Sequence, residues 1–198
     1  IFKKYSKKNL PLHNLIYHGL PTKFFLSVGT IQPRKNFENL VAAHLQLPDL
    51  YREAFPLILV GRYGWGCKKL YDDLRLKKNK HILWLNYVDE RTLVTLIKNC
   101  YALVIPSFYE GFGLPLLEGF ACQVPVISSK TSSLGEIGIN FFEGVDASKA
   151  DELLYAMLNV IDKRESYNLK IKEAYQYSKK FSWKDTAEKT KKVYEKLL

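Results

Sequence analysis

The chain has 198 residues, enough for one well-buried domain and little more. Hydrophobic residues make up 47% of it, and no apolar run reaches the roughly eighteen residues that would mark a membrane-spanning helix. The formal net charge is +10, with lysine pairs scattered from 3–4 to 191–192 and no nucleic-acid motif among them, so nucleic-acid binding is set aside. Anionic lipid, phosphorylated substrates and plain solubility all remain open as reasons for the excess.

The opening "IFKKYSKKNL" is basic but lacks the apolar core and cleavage site of a signal peptide. Residues 1–22 read as a linker or remnant of a preceding domain, with His18 near its end, and 23–198 as the domain proper. The first apolar run, "FFLSVG" (24–29), has strand character. "NFENLVAAHLQL" follows with Phe37, Leu40, Val41 and His44 on one helical stripe and Asn36 as its N-cap. "PLILVG" (56–61) and "HILWL" (81–85) are further strands. "DERTLVTLIKNC" is a helix capped by Asp89, with Leu93, Leu96 and Ile97 together. "YALVIP" (101–106) and "VPVIS" (124–128) complete a set of five strands. Most of these runs are continuously apolar, as strands covered on both faces of a parallel sheet must be. Beyond about Ala150 the pattern is helical: "SKADELLYAMLNVI", "ESYNLKIKEAYQYSKK" and "WKDTAEKTKKVYEKLL". The order predicts an α/β fold, a Rossmann-like doubly wound parallel sheet with helices on both faces and a helical C-terminal tail. Cys67, Cys100 and Cys122 are odd in number and widely spaced, which suits reduced, buried thiols in a cytoplasmic protein.

In such sheets ligands bind outside the carboxyl ends of the strands. The unusual stretches all fall there: "GTIQPRKN", "GRYGWG", "NYVDE" and "PSFYEGFGLP". In the last, Pro115 suits the first helical position, which makes Leu114 the N-cap, and leucine has no oxygen with which to cap. Gly111 and Gly113 either admit a ligand close to the backbone or take positive φ. Bare amides and the positive end of a helix dipole favour an anion such as phosphate. Glu110 in the loop and Glu118 in the first helical turn would repel that anion unless they face hydroxyls, and a ribose diol or a hexose provides them. Taken singly, Glu118 could serve the helix dipole and Glu110 could be a solvated loop acid.

The pair of glutamates eight residues apart, followed by a helix and "VPVIS", resembles the donor-binding C-terminal domain of retaining GT-B glycosyltransferases of family 4. "FFLSVGTIQPRKNFENLVAA", "PLILVG", "LNYVDERTLVTLIKNCYALVIPSFYEGFGLPLLEGFACQVPVIS" and "FSWKDTAEKTKKVYEKL" match it in order, and "GTIQPRKN" is closest to its mannosyltransferase-like branch. The resemblance implies that Glu118 holds the ribose of a sugar nucleotide and Glu110 the hydroxyls of the transferred sugar. It gives the amides of Phe112, Gly113 and Leu114 to sugar and phosphate oxygens. Lys35 matches the family's lysine for the leaving diphosphate. Thr30 stands where many relatives have arginine, so Arg34 is expected to share that task. Gly29 would let the sheet edge approach the ligand, and Tyr87 and Val88 would meet the base. Arg62 would reach phosphate or base, or stay solvated.

The implied function is transfer of a hexose from GDP-mannose or a UDP-sugar to a glycan or lipid-linked acceptor, with a separate N-terminal domain as partner. No D-x-D motif is present, so neither metal nor cofactor is expected. The basic surface suits peripheral contact with an anionic membrane on the cytoplasmic side. A non-catalytic nucleotide- or sugar-phosphate-binding module is the alternative. The first loop lacks G-x-G-x-x-G, which argues against a dehydrogenase.

Overall fold

The computed structural model describes residues 19–197, so most of the expected linker, with His13 and His18, lies outside the described residues. Six parallel strands form one sheet: β1 (Phe25–Val28), β2 (Leu57–Val60), β3 (Ile82–Leu85), β4 (Ala102–Ile105), β5 (Val126–Ser129) and β6 (Glu143–Val145). Their spatial order is β3-β2-β1-β4-β5-β6. The helices are α1 (Phe37–Leu45), α2 (Asp49–Ala54), α3 (Lys68–Arg75), α4 (Glu90–Asn99), α5 (Leu114–Ala121), α6 (Ser132–Gly138), α7 (Ala150–Asp162), α8 (Tyr167–Ser178) and α9 (Trp183–Glu195).

The continuous apolar runs become strands because both faces of the sheet are covered. Successive residues of β2 alternate between two cores: Leu57 and Leu59 pack with α1, α3 and α7, while Ile58 and Val60 pack with α4, α5 and α8. Ala102 and Val104 of β4 join the first core, and Leu103 and Ile105 the second. This is the doubly wound arrangement expected. The tail is helical as expected, but α9 buries none of its side chains, and Trp183 is 67% exposed. Among the described residues no helix is long and apolar enough to cross a membrane.

Two helix starts differ from expectation. Asn36 occupies the N-cap position of α1 but makes no capping bond. It sits at φ 56°, and its Nδ2 donates to Pro106 O (3.0 Å) and Ala147 O (2.6 Å). The side chain therefore spans from the loop after β1 to those after β4 and β6. Asn36→Ala removes two buried bonds and forces alanine into the left-handed region; it is expected to cost ~2–4 kcal/mol in denaturant unfolding. Asn36→Gly, which relieves the backbone, should cost ~1 kcal/mol less. Asp89, by contrast, caps α4 as expected, accepting from Thr92 N at 2.7 Å. The second difference concerns α5: it starts at Leu114, one residue before the proline, with Gly113 as its N-cap at φ 90°. A side chain at Gly113 would also press on Leu134, only 2.8 Å from an added Cβ. The conclusion drawn from the expected cap survives the shift, since glycine offers no capping oxygen either, and no side chain caps this end.

Candidate functional site

The strand order places β1 beside β4, where the sheet reverses direction of growth and the loops after these strands turn to opposite sides. Their ladder covers only Phe25–Ala102 and Leu26–Leu103. Beyond it, Ser27 Oγ donates to Val104 O at 2.7 Å, and the chains continue into the loops at 29–36 and 106–113.

Into this crevice the first loop brings two cations. Pro33–Lys35 is a single 3₁₀ turn, fastened to the second loop by Phe108 N donating to Arg34 O at 2.9 Å. Arg34 Nη1 donates to Tyr109 O (2.6 Å) and to Glu110 Oε2 (2.9 Å), while Lys35 Nζ donates to Glu110 Oε1 at 2.6 Å. Ser107 Oγ donates to the same Oε1 at 2.7 Å. Glu110 is 7% exposed overall. Burial alone would raise its carboxyl, but the Lys35 bond, the Ser107 hydroxyl and Arg34 together hold it below the ordinary glutamate value. The expected solvated alternative for Glu110 is thus overturned: its loop lies between two cations and a hydroxyl, all within hydrogen-bond reach. Gly29 also differs from expectation. The space over its Cα, reserved for a ligand, is filled by the end of Lys35, whose Cε is 3.1 Å from where a Cβ would stand. The missing side chain lets the lysine lie flat across the end of β1.

Phe112, Gly113 and Leu114 form the uncapped start of α5, with Phe112 and Leu114 about half exposed. Of the two glycines, Gly113 takes the positive φ, while a side chain at Gly111 would meet only open space. Glu118 is in the second turn of α5, not the first, because Leu114 opens the helix and no acid lies in its first turn. It gains little from the dipole there. It is half-buried, and desolvation by that burial lifts its carboxyl to about 7.

On the other side of the crevice Thr30 is exposed, and Arg62 lies over the ring of Tyr87, 4.8 Å from its centroid. Tyr87 is 68% exposed, and Val88 is half-buried against the second core. This pair is linked to the cation loop through the backbone: Ile31 N donates to Arg62 O at 2.9 Å. Sequence reasoning missed several contributors. Ser107 holds Glu110 directly; Thr131, Ser132 and Ser133 hold the loop around it. Phe181, from the α8–α9 turn, stands edge-on to Phe112 at 6.0 Å. Only the fold brings these residues to the crevice, and their spacing in sequence carries no signal.

The family described as Glycosyl transferases group 1 matches residues 18–177. O-antigen chain mannosyltransferase B of Escherichia coli is 33% identical over 175 residues, which cover 88% of this chain and 46% of that protein. Glycogen synthase of Mycobacterium tuberculosis is 30% identical over 177 residues, covering 85% of this chain and 41% of that one. The chain thus spans rather less than half the length of these relatives. Among solved structures, sucrose-phosphate synthase from Thermosynechococcus elongatus superposes with a TM-score of 0.78 at 24% identity, over 92% of this chain and 47% of that one. The C-terminal domain of the group 1 glycosyl transferase LpcC from Francisella tularensis superposes with a TM-score of 0.72 at 17% identity, over 88% and 92%. On its match over most of its length, this chain belongs to the group 1 glycosyl transferases and has the fold of one half of a GT-B protein.

Proposed function

We propose that the chain is the donor-binding half of a retaining, metal-independent hexosyltransferase that uses a nucleoside-diphosphate sugar, with GDP-mannose ahead of UDP-sugars. The observation that carries this reading is the convergence of Arg34 and Lys35 on Glu110 beside an uncapped helix start. Two cations and bare amides suit a diphosphate, and an acid among them suits the hydroxyls of the attached sugar. HepE from Anabaena, which shares the fold at a TM-score of 0.70, has been solved in complex with UDP-glucose, in keeping with a donor of this class.

On this reading both cations of the ligand-free site are paired with the one carboxylate of Glu110. An arriving diphosphate takes Lys35 and Arg34 from Glu110, and its oxygens accept from the amides of Phe112, Gly113 and Leu114. Glu110, freed from the cations, accepts from hexose hydroxyls, and Glu118 accepts from the ribose diol. Tyr87, with Arg62 stacked on it and Val88 behind it, lies at the base. During transfer the bond from the anomeric carbon to the diphosphate breaks, an acceptor hydroxyl oxygen bonds on the same face, and the hydroxyl proton passes to the departing diphosphate oxygen. Charge gathers on the leaving diphosphate, and cations already aimed there stabilise it without reorganisation. The acceptor, a glycan or lipid-linked sugar, would be held by an N-terminal domain across the cleft, and the basic surface would keep the protein at an anionic membrane face.

Calorimetry with the chain tests the reading. GDP-mannose or UDP-glucose should bind more tightly than its parent GDP or UDP, and one base should be preferred over the other and over ADP. The chain alone should transfer sugar negligibly. Absence of heat with every nucleotide, or equal affinity with and without the hexose, would remove the donor-site reading.

A further inference from the structure

The loop that carries Glu110 is held from behind by a segment that the proposed reaction does not use. Ile105 of β4 pairs with Ser128 of β5, so the turns that follow these strands lie side by side. From the β5–α6 turn, Thr131 Oγ1 donates to Phe108 O at 3.0 Å. Ser132 Oγ accepts from Glu110 N at 3.1 Å, and Ser133 Oγ donates to Glu110 O at 2.7 Å. Both backbone polar groups of Glu110 are therefore taken by consecutive hydroxyls, and the carbonyl two residues earlier by a third. The Thr131 hydroxyl is itself anchored, 2.6 Å from Ser129 Oγ on the buried end of β5.

Two features set this apart from ordinary loop packing. Ser132 sits at φ 55°, in the left-handed region that non-glycine residues seldom occupy. Its conformation sends Oγ to the Glu110 amide, and strained backbone persists where its surroundings hold it for a purpose. The next residue but one, Leu134, packs against Gly113 at the start of α5. A single turn of chain thus touches both parts of the candidate site, the acid through hydroxyls and the helix start through an apolar contact. The carboxyl of Glu110 must meet Lys35 at 2.6 Å in the free protein and, on the proposed function, sugar hydroxyls in the complex. A shift of about 1 Å in its backbone would spoil either set of bonds.

We infer that Thr131, Ser132 and Ser133 are positioning residues that fix the backbone of Glu110 so that its carboxylate can alternate between Lys35 and the transferred sugar. The inference deepens the proposed function, but its first test needs no ligand. The Glu110 carboxyl carbon is followed by NMR through a pH titration of the chain in Ser133→Ala and in Ser132→Gly. The second variant deletes the hydroxyl while relieving the left-handed backbone, so it folds even if the first does not. With the hydroxyls gone, the Lys35 bond loosens, and the Glu110 carboxyl should titrate at higher pH than in the parent. Ser133→Thr, which keeps the hydroxyl, should restore the parent titration. An unchanged Glu110 titration in both deletion variants would overturn the inference, whatever the chain binds.

The second test uses GDP and GDP-mannose, with UDP and UDP-glucose alongside. The ratio of diphosphate to sugar-nucleotide dissociation constants should fall tenfold or more in the deletion variants, while the diphosphate constant itself changes less than threefold. Equal weakening of both ligands would show general loosening of the site and would also overturn the inference. Failure of the parent chain to bind any sugar nucleotide would sink the proposed function and leave the titration to decide this one.

Discussion

Glu110→Gln is expected to bind a bare nucleoside diphosphate about tenfold more tightly than the parent chain while losing most of the additional affinity that the hexose provides. The structure supplies the reason for the unusual sign. In the free protein Glu110 is the counter-ion of Lys35, whose side chain is only 12% exposed, and of Arg34. A diphosphate must displace that carboxylate before it can use either cation. Glutamine fills the same volume without the charge, so competition for the cations disappears. The same substitution leaves a nearly buried ammonium without its anion, which should lower ligand-free stability by ~1–3 kcal/mol, the partial exposure of Arg34 keeping it below the cost of a wholly buried pair. The diphosphate then restores the missing negative charge, so its stabilising effect in thermal unfolding should exceed that in the parent. Lys35→Met provides the converse: it removes the cation and should weaken the diphosphate ~10–100-fold. If Glu110→Gln instead weakened GDP and GDP-mannose equally, Glu110 would be part of the scaffold and not an exchanging counter-ion.

What could be read from sequence follows from which physical effects leave a periodic trace. Leu57–Val60 was legible as a strand because each side chain feeds one of two cores, and a four-residue apolar run records that directly. β6 left no such trace: it is three residues at the sheet's edge, and of Glu143, Gly144 and Val145 only Val145 is buried. α6, with serines and glycines in "SSLGEIG", has poor helical propensity and forms because Leu134 is wholly buried. The displaced start of α5 reflects the tolerance of a helix's first turn for proline at more than one position.

The site divides in the same way. Arg34, Lys35 and Glu110 were each recognisable as charges in loops at the ligand-binding edge. Their mutual pairing was not, since it joins positions 75 and 76 apart through contacts that no hydrophobic pattern encodes. Asn36 looked like a cap because asparagine before an apolar stripe usually is one. The competing bonds to Pro106 and Ala147 exist only once three loops have converged. Thr131, Ser132 and Ser133 are ordinary turn residues by composition, and their role is visible only beside Glu110.

Glu118→Gln should stabilise the ligand-free chain above pH 7 by ~2–3 kcal/mol and yet weaken every nucleotide ~10–100-fold. Burial raises the Glu118 carboxyl from 4.5 to about 7, so between those values the folded chain holds a proton that the unfolded chain has released. Stability from this group is fully present below pH 4.5 and is lost as pH rises towards 7. His44 works against it: buried, with Nε2 against Phe55 O at 3.0 Å, it is lowered from 6.5 to about 4, and its contribution is lost as pH falls from 6.5 to 4. The two slopes largely cancel in the parent between pH 4.5 and 6.5. In Glu118→Gln the histidine slope is no longer offset there, so variant and parent should match near pH 4.5 and diverge steadily to pH 7. Denaturant unfolding at half-unit pH intervals reads this difference, and parallel curves would show that Glu118 is not the group that titrates. The penalty makes sense if the carboxylate awaits hydroxyl donors. A ribose diol would stabilise its charged form, so nucleotide binding near pH 6.5 should release a proton, seen as a dependence of binding heat on the buffer's ionisation enthalpy. The variant has no proton to release at that position, and its binding heat should be independent of buffer apart from the ionisation of the diphosphate itself.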